Sequence, residues 1–231
     1  MLTDKKRKFL LVLLVTGSVL AISFTFYFYQ VFYSPNTLLE TEQAYVLRIP
    51  SNATYSQVSK ELYDEKVIND AVSFGFVAKV LGYQESVKSG LYIIEPKMTN
   101  LELVRKLRSG DQSPIKLTFN NIRTKEDLAE KISKNLEFNQ TQFLELLQDS
   151  VYIRKFDFEE ETIMGMFIPN TYEVWWDSSP EEIFERMNKE YQRFWNQERR
   201  DKARLLGLNP KAVTTLASIV QAESQQKADE R

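Results

Sequence analysis

The sequence has 231 residues, of which 43% are hydrophobic and 27% are charged, and its formal net charge is −2. That composition is typical of a folding chain with room for a membrane anchor and one or two packed units. Neither Cys nor His occurs, which excludes thiol nucleophiles, Cys/His zinc sites, Ser-His-Asp triads and haem ligation by those residues. The seven glycines have neither the dinucleotide-binding nor the Walker A spacing. We therefore expect no cofactor and no metal site.

The first 33 residues combine a basic tail with a long apolar run. A basic cluster at positions 5–8 precedes residues 9–32, which contain no charged residue. This run exceeds the roughly 20 residues that a helix needs to cross a bilayer. A cleaved signal peptide is the alternative, but the run is too long for one and ends in aromatic rather than small residues. The sequence therefore predicts a tail at 1–8, in the cytoplasm by the positive-inside rule, and a single transmembrane helix at 9–32.

The remaining chain is acidic and begins with a predicted linker. After residue 33 it carries 26 basic and 31 acidic residues and no basic stripe, so nucleic acid is not an expected partner. Residues 33–43, which include Pro35 and Asn36, are predicted to form the linker.

Residues 44–112 show the pattern of a small α+β unit. In order they present an alternating strand at 45–49, two amphipathic helices, a strand at 90–94 and a helix that begins at Thr99 and stops at Ser109-Gly110. The apolar residues that mark the three helices are predicted to be core: Val58, Leu62 and Val67; Phe74, Val77, Ala78 and Leu81; Leu101, Leu103, Val104 and Leu107.

Residues 113–231 form a second predicted unit of mixed α+β type. It opens with an alternating strand at 115–119, followed by helices capped by Thr124 and Thr141. A further helix starts at Ser179-Pro180, and its predicted buried face consists of Ile183, Met187, Tyr191 and Phe194.

Residues 165–176, with the sequence GMFIPNTYEVWW, place four aromatic side chains around a predicted Pro-Asn turn. Aromatic faces can stack on sugar rings, so a glycan-binding platform is one interpretation. A loop whose large rings fill the core is the other, and the burial preferences of these residue types favour it.

The last helix is predicted to start at Asn209-Pro210, an N-cap followed by proline at the first helical position. Leu216, Ile219, Val220 and Glu223 follow at i, i+3, i+4 and i+7, so one carboxyl group continues an apolar stripe. At the edge of a buried face the pKa of a carboxyl group rises, and a protonated Glu can act as a general acid. The alternative, a solvated Glu at the end of an apolar face, is the commoner arrangement.

Two segments resemble the MltG/YceG-like endolytic murein transglycosylases. Residues 217–224 read ASIVQAES and resemble the family's catalytic helix A-S-I-V-E-x-E-[ST], with Gln221 at the first Glu and Glu223 at the second. Residues 167–172 read FIPNTY and resemble F-P-D-T-Y, with Asn170 in place of Asp. Glu230-Arg231 also matches, and so does the order of tail, anchor, first unit and catalytic helix.

The resemblance implies a LysM-like domain at 44–112 and a transglycosylase domain at 113–231. Glu223 would be the catalytic acid and base if the family's acid is the second Glu, whereas an acid at the first position would make this chain inactive because Gln221 stands there. The implied substrate contacts are Asn170, Tyr172, Trp175, Trp176 and Ser224. The family continues past this helix with N-R-L and D-P-T segments, so the catalytic unit is expected to be incomplete at Arg231 and the piece by itself inactive.

The implied activity is cleavage of the β-1,4 bond between N-acetylmuramic acid and N-acetylglucosamine in nascent peptidoglycan, with a 1,6-anhydro end. The implied partners are glycan strands, the bacterial cytoplasmic (inner) membrane and peptidoglycan synthases, with the bulk of the chain outside the cytoplasm. A non-catalytic envelope protein that binds glycan or scaffolds the cell-wall machinery is the alternative. A eukaryotic type II membrane protein has support only from the sequons at Asn52 and Asn139.

Overall fold

The computed structural model describes residues 4–39, 43–120 and 122–229, with side chains throughout except at 221, 222 and 224–229. The chain divides into two compact units, Met1–Ser113 and Pro114–Arg231. Both units combine helices with a two-stranded antiparallel sheet, and a long apolar helix lies near the N-terminus, which confirms the predicted α+β class.

The described part of the first unit contains one two-stranded antiparallel sheet, four α-helices and a short 3₁₀ helix, Tyr83–Glu85. Its elements are α1 Asp4–Tyr33, β1 Tyr45–Ile49, α2 Tyr55–Asp64, α3 Ala71–Val80, β2 Gly90–Ile94 and α4 Asn100–Ser109. In the sheet, Leu47 of β1 lies opposite Tyr92 of β2, and both side chains are buried. Among the described helices, α1 alone is long and apolar enough to cross a membrane.

Capping residues set the ends of these helices. Thr54 begins α2 and Thr99 begins α4, each as a capping box in which the third helical residue bonds back to the cap. Gly110 ends α4 in the left-handed conformation that glycine adopts without steric cost. Val67 was predicted to continue the first helix of this unit, but α2 ends at Asp64 and Val67 is buried in the turn that follows.

The end of α1 is part of the first unit's core. Val31 and Phe32 are buried, and the Asn100 side chain donates a hydrogen bond of 2.9 Å to the carbonyl of Val31. Helix C-termini leave backbone carbonyls without partners, so Asn100 caps α1 from the neighbouring helix. The described part of the predicted linker does not form a free tether either, because the Asn36 side chain donates 2.7 Å to Asn100 Oδ1 and Leu38 N donates 2.9 Å to Val67 O.

The second unit is also built around a two-stranded antiparallel sheet. Its elements are β3 Ile115–Phe119, α5 Lys125–Ser133, α6 Gln140–Gln148, α7 Ser150–Arg154, a 3₁₀ helix Ile163–Met166, β4 Asn170–Val174, α8 Pro180–Phe194, α9 Gln197–Leu205 and α10 Pro210–Asp229. The prediction that Thr141 caps a helix is wrong: Asn139 caps α6, because its side chain accepts from Gln142 N and Gln142 bonds back. Neither α7 nor α9 was predicted from the sequence.

Aromatic rings fill the core of the second unit. The ring of Phe184 on α8 lies 5.2–5.8 Å from four other rings, those of Phe143, Tyr152, Phe156 and Phe167. Ile183, Met187 and Tyr191 are buried on the same helix, as predicted. Phe194 is not: it stays more than a third exposed, with the Arg199 guanidinium 4.3 Å from its ring centre.

Candidate functional site

The segment predicted as a Pro-Asn turn contains strand β4, which was missed in the sequence. β4 pairs with β3 so that Leu117 lies opposite Tyr172 and Thr118 opposite Thr171. Side chains alternate along a strand, so Tyr172 and Val174 turn into the core while Thr171 and Glu173 point outward. The alternation in Asn-Thr-Tyr-Glu-Val is the sequence signal that could have identified this strand.

The outer face of this two-stranded sheet is polar and ends in an exposed indole. Thr118 and Thr171 share a hydrogen bond of 2.8 Å between their hydroxyl groups, and Lys116 lies opposite Glu173. Trp175, the first residue past β4, is 47% exposed. We call Lys116, Thr118, Thr171, Glu173 and Trp175 the ribbon face. Hydroxyl groups, two charges and an aromatic ring are the side-chain types that can hydrogen-bond to and stack on a polar ligand.

Tyr172 and Trp176, two predicted sugar contacts, are buried in this structure. Burial raises the pKa of the Tyr172 phenol, and the carboxylate of Glu190 adds to the effect. The hydroxyl therefore stays protonated at neutral pH, and it donates a hydrogen bond to the carbonyl of Ile168. Because Tyr172 and Trp176 are buried, Trp175 is the ring of this segment that a sugar could reach.

Asn170 lies at the start of β4 with an exposed side chain. Its Oδ1 accepts a hydrogen bond of 2.8 Å from Thr171 N, so the oxygen is used within the strand. The side chain of Ser224, another predicted contact, lies outside the described residues.

Helix α10, which carries Glu223, is fixed to the second unit at its N-terminal end. Asn209 caps it by accepting 2.9 Å from Ala212 N, as the sequence predicted. Lys211 lies 3.4 Å from Asp157 Oδ2 and 5.1 Å from the ring centre of Phe158, and Val213 packs against the core.

Gly165, just before the FIPNTY segment, faces Thr214 in the first turns of α10. A Cβ atom at Gly165 would lie only 3.2 Å from Thr214 Cγ2, so the absence of a side chain permits α10 to approach the segment that leads into β4. No sequence pattern predicts a role for either residue.

We expect Gly165→Val to displace the first turns of α10, because its methyl groups would overlap Thr214. A forced fit of this kind costs about 1–3 kcal/mol of unfolding free energy. Thr214→Ser removes the crowded methyl and keeps the hydroxyl, which bonds Pro210 O at 3.0 Å, so the double variant should recover part of the loss. Hydrogen exchange across α10 measures both effects; unchanged exchange in Gly165→Val would contradict the role given to this contact.

Glu223 lies on the exposed part of α10. Leu216 is 48% exposed, Ile219 and Val220 are more so, and Glu223 itself is exposed, so the buried apolar face predicted from the sequence is absent in the described structure. The physical reason is distance, because α10 contacts the core only in its first turns. Glu223 comes nine residues after Thr214, about 14 Å further along the helix axis. Among the described residues no side chain forms a hydrogen bond or ion pair with its carboxylate, and no group of acidic side chains could hold a metal ion.

Both motif segments fall within one family match. The model of the YceG-like family matches residues 47–231, which include most of the first unit, the ribbon face and α10. The chain belongs to the YceG-like family. No curated protein matches it.

A crystal structure of a YceG-like protein from Listeria monocytogenes is also similar, with 22% sequence identity and a TM-score of 0.40 over 73% of this chain. The match covers 60% of that protein, so this chain spans less than two thirds of its length.

Proposed function

We propose that this YceG-like protein is a membrane-anchored endolytic transglycosylase that cleaves peptidoglycan between N-acetylmuramic acid and N-acetylglucosamine. The observation that carries the proposal is the family match across residues 47–231 together with an exposed Glu223 at the second Glu of the family's catalytic-helix pattern. A carboxyl group open to solvent on a helix can be approached by a polymer from outside the protein.

One carboxyl group is sufficient for this reaction. Protonated Glu223 gives its proton to the glycosidic oxygen as the bond from that oxygen to C1 breaks. The muramic acid 6-hydroxyl oxygen then closes on C1, and its proton passes to the Glu223 carboxylate, which restores the acid. No water is consumed, so the second carboxylate that ordinary glycosidases use to activate water or attack the sugar is not required.

The ribbon face is the proposed sugar contact, with Trp175 stacking on a sugar ring and the paired threonines bonding its hydroxyl groups. The first unit has the strand-helix-helix-strand order of a LysM-like module and would position the glycan. Helix α1 would anchor the protein in the cytoplasmic membrane with residues 1–8 in the cytoplasm. The two folded units would then lie on the outer side, close to emerging glycan and to peptidoglycan synthases. Tethering raises the effective concentration of enzyme at that surface without a new contact.

The test is mass spectrometry of uncrosslinked peptidoglycan strands after incubation with the protein, both as the chain ending at Arg231 and as any longer form that its gene encodes. Fragments with 1,6-anhydro ends from either form support the transglycosylase. Binding of the strands without such ends from both forms would instead favour the non-catalytic glycan-binding alternative.

We expect Trp175→Ala to weaken glycan binding with little effect on folding. Loss of one stacked ring corresponds to about 1 kcal/mol, or roughly fivefold in affinity. Because the indole is half exposed, the unfolding midpoint should hardly move. Phe194→Ala, which also removes a partly exposed ring from the second unit, is the matched control. Equal binding by the two variants would remove Trp175 from the proposed contact.

A further inference from the structure

One face of α3 leaves three apolar side chains uncovered. Val72, Phe76 and Val80 recur every four residues and therefore lie on one side of the helix; we call them the α3 stripe. Their exposed fractions are 80%, 50% and 57%. The opposite side of α3, with Phe74 and Val77, is fully buried. A surface helix of a soluble unit normally turns a polar face outward, so an apolar outer face calls for a partner.

A row of aromatic rings joins this stripe to α1. Phe24, Phe28 and Phe32 follow one another along α1 with ring centres 6.4 and 4.4 Å apart. The ring of Phe32 then meets Phe76 of the α3 stripe edge-on, at 6.1 Å. The stripe therefore continues the surface of the apolar helix that the sequence and the structure mark as the candidate membrane span.

The length of α1 sets the height of this contact above a bilayer. Val31 and Phe32 are buried in the first unit, so residues 9–29 are the part of the apolar run that remains for lipid. These residues extend about 31 Å as a helix, close to the roughly 30 Å of a hydrocarbon core, so no length is left over as a spacer. Phe32 lies only about 5 Å beyond residue 29, which brings Phe76 to the level of the lipid headgroups.

The charges around the α3 stripe agree with a phospholipid surface. Lys79 is the only charged residue within α3, and its side chain is exposed beside Val80. The Asp70 carboxylate, at the N-terminus of the helix, accepts hydrogen bonds from Val72 N and Ser73 N and is engaged as the cap. A lysine at the edge of an apolar stripe can reach lipid phosphates while its stem covers apolar surface.

We propose that the α3 stripe is a second membrane contact, in which Val72, Phe76 and Val80 enter the headgroup and acyl-chain boundary of the leaflet beneath the first unit and Lys79 binds lipid phosphate. Apolar faces of interfacial helices lie about 5–10 Å into that boundary. This inference rests on the anchoring of α1 in the proposed function. It goes beyond anchoring because it specifies which face of the first unit is turned to the bilayer.

The test uses single-cysteine labelling, which the natural absence of Cys makes specific. The full chain is reconstituted in vesicles of phosphatidylethanolamine and phosphatidylglycerol, and an environment-sensitive fluorophore is attached at Val72→Cys or Val80→Cys. Tyr63→Cys, at an exposed position of α2, is the matched control, and Val19→Cys reports on α1. Lipids carrying a nitroxide on the acyl chain then quench any label that contacts them.

The proposal expects blue-shifted emission and loss of fluorescence at positions 72, 80 and 19, with neither change at position 63. Quenching at 19 alone would overturn the membrane contact of α3 and leave the anchor standing. Absence of quenching at 19 would overturn the anchor and this inference together. Labels at 72 and 80 that are shielded from both the lipid nitroxide and aqueous iodide, increasingly so at high protein density, would show that a second copy covers the stripe and would also overturn the proposal.

Discussion

Replacing Glu223 by Gln in the longest form of the protein that forms anhydro ends is expected to reduce their rate of formation by about 10²–10⁴-fold. The amide has nearly the shape of the carboxyl group but cannot give a proton to the glycosidic oxygen. Glu223 is exposed, so we expect the unfolding midpoint to remain unchanged and the loss to be chemical. Mass spectrometry of the released fragments against time provides the rates.

Glu145→Gln is the matched control, since Glu145 is also an exposed helical Glu in the second unit. It should retain the full rate. A Glu223→Gln protein that releases anhydro ends at the control rate would show that the acid lies elsewhere. Because the family's first Glu position is Gln221 in this chain, no carboxyl group two residues upstream could substitute for the lost one.

The second large effect is expected at Asn100, where we predict that Asn100→Leu lowers the unfolding free energy of the first unit by about 3 kcal/mol. The side chain donates to Val31 O at 2.9 Å and to Ser73 Oγ at 3.0 Å, and it accepts from Asn36 Nδ2 at 2.7 Å. Leucine fills a similar volume but leaves these buried polar groups with fewer partners, and each unsatisfied group adds to the cost.

Denaturant unfolding in detergent, with hydrogen exchange to locate the change, measures this effect. Asn69→Leu is the control, because it makes the same substitution at an exposed position of the same unit. Faster exchange should appear at the end of α1 and in α3 and α4, with the second unit unaffected. Equal stability of the two variants would mean that the network around Asn100 does not hold α1 to the unit.

The elements whose signals are local were predictable from the sequence. Thr99 and Gly110 set both ends of α4 by capping, and β1 and β3 follow from alternation, so their bounds agree with the structure. The bounds predicted for β2 also agree, although its residues do not alternate. β4 was missed because Pro169-Asn170 was interpreted as a turn, although the alternation continues through Val174. The Thr141 cap failed because a stronger capping residue, Asn139, lies two positions earlier.

The sequence predicted which segments contain the candidate site, but not which of their side chains are exposed. The positions of Glu223 and of the aromatic segment follow from motif and pattern, whereas the choice of Trp175 as the exposed ring depends on the β3–β4 register. The contact between Gly165 and Thr214 joins residues 49 positions apart, so no local sequence pattern predicts it. The burial predicted for Leu216 and Ile219 failed because periodicity identifies an apolar face without showing whether anything covers it.

The junction between α1 and the first unit also determines how the protein responds to force. A flexible tether stretches when it is pulled sideways. Here hydrogen bonds of Asn100 and Asn36 hold the end of α1, and the residues that follow it, to the first unit. In the proposed anchoring of α1, a pull on that unit is transmitted to the helix as a torque, which the bilayer resists by opposing tilt. In that arrangement the first unit and α1 would tilt together instead of moving independently.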